Sequence, residues 1–229
     1  MVCDPESTAV WLSLKVALSV ALWSMPPAIV LGWVLARRSF RGKVLLEGLI
    51  HAPLVMPPVV TGYLLLLVFG RRGLVGRWLY DLLGVQMVFT VHAAVLASVV
   101  VALPLAVRCV RMAIELVDAR LEEAAFVLGY SPLRVFFRVT LPLAWTGVAS
   151  GMLLSFARSL GEFGATITFA GNVEGVTQTL PLAIYSALQV PGQESSAMRL
   201  AAYSLGLCLV SLFASEALRV RNRRLLSDV

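Results

Sequence analysis

The sequence predicts an all-α integral membrane protein with about five transmembrane helices and one large polar loop. Three observations carry this. Of 229 residues, 59% are hydrophobic and 14% are charged, against about 45–50% and about 25% in soluble domains. Mean hydropathy is +0.86, an excess that one globular core of this size cannot bury. The apolar residues also fall into runs of about 20 or more, long enough to cross a hydrocarbon layer of about 30 Å, with basic segments between several of them. The net charge of +6 therefore reads as membrane topology. A nucleic-acid surface is excluded because the positive residues flank apolar runs.

The first run extends from Val10 to Ala36 and is interrupted only by Lys15, which lies near its start and can snorkel outward. Pro26-Pro27 should kink it, and Arg37, Arg38, Arg41 and Lys43 end it. The second run, Val44 to Phe69, carries Pro53, Pro57 and Pro58. These remove backbone donors and should break or bend the helix. Such backbone survives at membrane depth only against protein or a water-filled cavity. Gly70 to Gln86 reads as a polar connection. The third run, Met87 to Val107, has no Lys, Arg, Asp or Glu. Nine charges then crowd into Arg108–Thr140, a solvated loop with helical content. The fourth run is Leu141–Leu160. Gly161 to Gln193 is too interrupted for a span and has room for a short re-entrant or interfacial helix. The fifth run is Ala197–Leu218, followed by a basic tail at 219–229. The membrane domain is thus expected over 10–218.

Five spans put the termini on opposite sides. The 37–43 loop carries four basic residues, the 108–140 loop five and the tail four, so one side holds 13. The other holds Arg71, Arg72, Arg77 and Arg199. The positive-inside rule makes the first side cytoplasmic, with the N-terminus outside and the C-terminus inside. The N-terminus lacks a basic n-region, so no cleaved signal peptide is expected. Cys3, Cys109 and Cys208 are widely separated and His51 and His92 stand alone. No metal site, disulfide framework or catalytic set is indicated. An intramembrane enzyme built on one of the histidines and a serine is a remote alternative, since no G-x-S-x-G element is present.

The loop is the most informative segment. Arg120–Leu128 favours helix, Gly129 suits the position just past its end, and Ser131-Pro132 suits the start of a second short helix. Leu133, Val135, Phe136 and Phe137 would give that second helix an apolar patch suited to docking another protein. Composition alone allows equally a loop folded back on the bilayer surface. The spacing decides between them. Glu123-Ala124-Ala125, three residues, Gly129, nine residues, Val139, one residue and Leu141-Pro142 resembles the cytoplasmic signature of binding-protein-dependent ABC importer permeases. That family most often has Ile where Val139 stands.

The resemblance implies the type I ABC importer permease fold, with this loop as the coupling helix seated in a groove of a separate ATPase. Glu123, Ala124, Ala125, Gly129, Leu141 and Pro142 would then form the ATPase-coupling element. This chain has no phosphate-binding loop: its one Gly-Lys pair, Gly42-Lys43, is followed by Val44. No cofactor is expected on this chain, and ATP and Mg would be used by the ATPase partner, so the chain itself is not an enzyme.

Arg158 and Glu162 lie four residues apart beside Gly161 and Gly164. They read either as a structural ion pair near the outer membrane surface or as a gate of the pathway. The wider likeness runs from about Val10 to Leu218 and falls in the oxyanion-importing branch, which handles sulfate, molybdate and tungstate. It rests on Met56–Tyr63, Gly70–Gly76, Ser159–Phe169 and Pro191–Ser195. The second and fourth of these favour molybdate over a sulfate or thiosulfate permease. Some permeases carry a sixth, N-terminal span; none is expected before Val10. The resemblance further implies two copies of the chain around the path, two ATPase subunits, an external molybdate-binding protein and a bacterial inner membrane. A dianion that must leave again is better served by hydroxyls and backbone donors than by a lysine ring. Thr61, Ser155, Ser159, Thr166 and Thr168 are candidates, with Arg158 and Glu162 at the gate.

Overall fold

A computed structural model describes the backbone of residues 5–227 and the side chains of residues 5–213. The regular structure of the described residues is all helical, without strands: α1 (Pro5–Arg37), α2 (Lys43–Val55), α3 (Pro58–Phe69), α4 (Leu74–Leu83), α5 (Val91–Glu115), α6 (Ala119–Val127) and α7 (Pro132–Val135). A π-helical turn (Phe136–Thr140) follows, then α8 (Leu141–Leu143), α9 (Trp145–Leu160), α10 (Gly164–Phe169), α11 (Leu180–Leu188) and α12 (Glu194–Ser227). The side chains of the expected basic tail at 219–229 lie outside the described residues.

Among the described residues three helices are long and apolar enough to cross a membrane alone: α1, α5 and α12 as far as Phe213. Two further spans exist only as bent pairs, α2 with α3 at 114° and the 132–143 segment with α9 at 69°. Five crossings result when each pair counts once. The first bend sits where the prolines require it. Met56 precedes Pro57 and is driven to extended geometry (φ −70°, ψ 145°), which ends α2, and Pro58 opens α3 at a position that needs no N–H. Pro26 and Pro27, by contrast, lie inside α1, which continues for 33 residues without a break.

The centre of the fold is α1 packed along α5, with α9 against both. The facing surfaces are lined with small side chains. On α1 these are Ala17, Ala21, Ser24, Ala28 and Gly32, with Ala9 and Ser13 turned toward α11 and α12; on α5 they include Ala93, Ala97, Ala102 and Ala106. In lipid there is no hydrophobic drive between helices, so association depends on close backbone approach, which small residues permit. A Cβ placed on Gly32 would meet Val110 Cγ1 at 2.8 Å. Leu12, Val16, Val20, Val101 and Phe169 fill one half of this core, and Met25, Leu35, Val107, Val110, Ile114 and Val148 the other.

Two polar contacts tie further elements to α1 at its Pro5 end. The N–H of Leu180, at the start of α11, donates to Ser13 Oγ at 2.7 Å. Arg199 of α12 pairs with Glu6 at 2.6 Å.

Several expectations are corrected. The supposed polar connection at Gly70–Gln86 contains α4, a ten-residue amphipathic helix that exposes Leu74, Trp78 and Leu82 along one side. The charged segment beginning at Arg108 starts inside α5, which runs on to Glu115 because Arg111 finds partners in Glu47 and Glu115. The fourth run is divided by a bend at Ala144. The 161–193 stretch holds two helices, with α10 packed against α3.

Candidate coupling loop and pathway residues

The loop begins where α5 ends at Glu115. Asp118 caps α6 by accepting from Arg120 N at 3.0 Å. Gly129 then closes α6 with φ +83°. Its N–H bonds to Phe126 O at 2.9 Å, and the Tyr130 N–H bonds to Ala125 O at 3.1 Å. These are the paired bonds of a Schellman ending, which needs a left-handed residue at this place. Ser131 occupies the N-cap of α7 with Pro132 after it, but its hydroxyl makes no capping bond.

The predicted signature residues divide between two directions. Glu123, Ala124 and Gly129 are exposed, as are Phe126, Val127 and Leu128, while Ala125 is buried. Among the described residues nothing lies within 4 Å of a Cβ built on Gly129, so that side of the turn is open. The predicted patch on the second helix is half covered, which corrects the expectation. Val135 is buried and Phe136 packs edge-on against Trp33 of α1 at 5.6 Å, leaving Leu133 and Phe137 outside. Leu141 turns in toward the core and Pro142 is exposed. Pro142 has no N–H to offer the carbonyl of Arg138 and its ring crowds that carbonyl, which accounts for the wider π-helical turn before it.

Glu122, which the sequence does not set apart from Glu123, faces inward. It accepts from Arg37 at 3.2 Å and from Thr140 Oγ1 at 2.6 Å. Arg37 also donates to the carbonyl of Val117 at 2.9 Å. A second ionic group joins Arg111 of α5 to Glu47 of α2 and, at 2.8 Å, to Glu115. Both clusters lie at the loop end of the bundle, where the charges of the 108–140 segment are used to hold helix ends together.

The pathway candidates fall into two groups. Thr61, Thr166 and Thr168 sit on the touching helices α3 and α10, where a Cβ on Gly62 would meet Ala165 O at 2.7 Å and Thr168 Cβ at 2.9 Å. Ser155, Arg158 and Ser159 sit on α9. Thr168 and Ser159 spend their hydroxyls on carbonyls of their own chain neighbourhood, Gly164 O at 2.9 Å and Phe156 O at 2.8 Å. Thr166 is buried. Thr61 and Ser155 are buried with no hydrogen-bond partner, and the sequence reading missed Ser24 of α1, which shares this condition. Its only signal was a hydroxyl in an apolar span.

Arg158 and Glu162 do pair, Nη1 to Oε2 at 2.9 Å, although α9 ends at Leu160. Glu162 is 3% exposed, and its other oxygen accepts from Ala165 N at 3.0 Å in the first turn of α10. The carboxylate thus joins the end of α9 to the start of α10.

Comparison with known proteins decides the family. The sequence profile described as "Binding-protein-dependent transport system inner membrane component" matches residues 28–224. The chain belongs to this family. These ABC importer permeases are transport subunits rather than catalytic enzymes. Among relatives, the molybdenum transport system permease protein ModB of Haemophilus influenzae is 53% identical over 223 residues, covering 97% of each chain. The Escherichia coli K12 protein of the same name is 51% identical over 222 residues, 96% of this chain and 97% of that one. The sulfate transport system permease protein CysW of Synechocystis is 35% identical over 217 residues, 92% of this chain and 77% of that one. Among solved structures, a chain of the MetNI methionine ABC transporter superposes with a TM-score of 0.70 over 93% of this chain and 94% of that one. At 16% identity the likeness is one of fold. The permease is therefore an all-α membrane protein of the type I importer fold.

Proposed function

We propose that this permease carries molybdate into a bacterial cell across the inner membrane. The observation that carries the reading is the identity of 53% and 51%, over nearly the full length, to proteins named as molybdenum permeases. Two copies would enclose the path, and two ATP-binding cassette subunits would dock on α6 and the Gly129 turn. An external binding protein would deliver the anion at the end that carries α4 and α11. The N-terminus would lie outside and the C-terminus in the cytoplasm, a reading supported by the charge asymmetry of the loops.

In this scheme ATP binding draws the two ATPase subunits together and moves their docked coupling helices, opening the path outward. Hydrolysis returns it to face inward. The protein's contribution is positional: α6 receives the push, and the bent spans α2–α3 and α8–α9 supply backbone that faces protein or water instead of lipid. Thr61 and Ser155, whose hydroxyls have no partner in this conformation, are available to an anion in another.

The substrate is tested with the assembled complex in vesicles, using binding proteins loaded with molybdate, tungstate or sulfate. ATP hydrolysis should be stimulated by the molybdate-loaded protein. Stimulation by the sulfate-loaded protein alone would replace the substrate assignment with that of the 35%-identical relative. The role of Thr61 is tested by Thr61→Val, which keeps the shape and removes only the hydroxyl. A buried hydroxyl without a partner contributes nothing to the fold, so thermal stability should hold or rise. Uptake should drop by about fivefold, the worth of one hydrogen bond of about 1 kcal/mol. Unchanged uptake removes Thr61 from the path.

A further inference from the structure

We infer that Glu122 is the positioning residue that makes the coupling helix move α1. The inference rests on the reading that the 120–140 loop receives an ATPase. It concerns what happens to the push after it arrives.

By its own packing α6 is poorly attached. Of its residues only Ala125 is buried. It is joined to α5 through Leu116–Asp118, of which Leu116 is 86% exposed, and to α7 through Leu128–Ser131, whose Gly129 turn is open. A force applied to such a helix would deform its two connections before it displaced a membrane span. Glu122 removes that freedom. Its Oε1 receives Thr140 Oγ1 at 2.6 Å and both Nε and Nη2 of Arg37 at 3.2 Å, and Arg37 Nε stands 3.1 Å from Oε2. One carboxylate therefore binds α6, the last residue of α1 and the π-helical turn.

Arg37 adds a bond to Val117 O, in the α5–α6 connection itself. One turn earlier on α1, Trp33 meets Phe136 of the same π-helical turn. The contacts are sheltered: the Arg37 and Glu122 side chains are 20% and 14% exposed, and Thr140 is buried. Charge-assisted bonds of this geometry resist being pulled apart far better than an exposed pair. Neighbouring Glu123 points outward and is left for a partner surface.

The test uses the complete transporter in vesicles with its binding protein and measures ATP hydrolysed and anion imported in the same preparation. Glu122→Gln keeps an acceptor for Thr140 and removes the charge. The ATPase should still copurify and hydrolysis should stay within about twofold, while uptake falls about tenfold. ATP spent per anion then rises about tenfold, a typical size for coupling between sites. Arg37→Gln should do the same, and the double variant should be no worse than either single one. If Glu122→Gln fails to accumulate, Thr140→Val decides the matter by removing one contact, with about a threefold rise in ATP per anion expected.

An unchanged ratio, or hydrolysis and uptake falling in parallel, would overturn the inference, because a role confined to folding lowers both together. Gly129→Asp separates this from the underlying reading. If that variant keeps its ATPase and its uptake, the docking assignment fails. If it loses both while Glu122→Gln remains fully coupled, only the role given to Glu122 fails.

Discussion

Gly129→Asp should lower uptake by about a hundredfold or more and release the ATPase subunit on purification, the loss expected when a charge enters a packed protein interface. Gly129 has two properties that could explain such an effect, and they rank substitutions differently. Its backbone sits at φ +83°, where Asn and Asp are the best tolerated of the other residues and Ala is worse. If strain in the turn were the cause, Gly129→Ala would be more harmful than Gly129→Asp. If the open face matters, the order follows size and charge: Ala mild, Asn intermediate, Asp severe. No described residue occupies the space beside Gly129, so the second order is expected. Copurification of the ATPase and uptake by vesicles, measured across the three variants, read out the order directly.

The second large effect should come from the Arg158–Glu162 pair, and it should be asymmetric. Glu162 is almost completely buried, whereas the Arg158 side chain is about a third exposed. Arg158→Met would leave a buried carboxylate with one backbone N–H as its remaining partner. Breaking a buried pair in this way costs about 3–5 kcal/mol. Glu162→Gln leaves a guanidinium that can reach water and keeps an acceptor for Ala165 N, so it should cost less. The double change Arg158→Met, Glu162→Met should restore part of the loss, because neither charge is then stranded. Apparent melting temperatures in detergent should therefore fall in the order wild type, Glu162→Gln, double variant, Arg158→Met. If Glu162→Gln proves the most damaging, the pair is not held for structural reasons, and a gating role would take its place.

These two sites differ in how far the sequence alone reveals them. Gly129 was legible because glycine after a helical run has one dominant cause, a left-handed ending, and the spacing to Leu141-Pro142 repeated a known signature. The broken second span was legible for the same kind of reason, since Pro57 and Pro58 forbid continuation. The partner of Arg158 followed from the four-residue spacing. The bond from Glu162 to α10 did not, because it depends on where α9 stops.

Other features were hidden for physical reasons. Glu122 and Glu123 are chemically identical neighbours, and only the three-dimensional position of Arg37, 85 residues away from Glu122, tells them apart. Val135 and Phe136 looked like part of a docking patch because the partner that covers Phe136, Trp33, belongs to a distant span. The helix α4 was missed because Arg77 and Asp81, with Arg71 and Arg72 just before it, suggested a loop; Leu74, Trp78 and Leu82, spaced by four, were the signal available. The small residues of α1 were read as generic apolar content, although their spacing of three and four marks a packed face.

The unbroken length of α1 has a mechanical consequence. At about 1.5 Å per residue its 33 residues run about 50 Å along the helix path. One end is clamped through Arg37 to Glu122, and the other through Glu6 to Arg199. A continuous helix fastened at both ends passes displacement at one end to the other. If it tilts as a body by about 5° about one end, the far end sweeps about 4 Å, more than the reach of a hydrogen bond. The middle of the helix would move by only about half as much, so the displacement concentrates at the far end, where it would strain or release the Glu6–Arg199 pair.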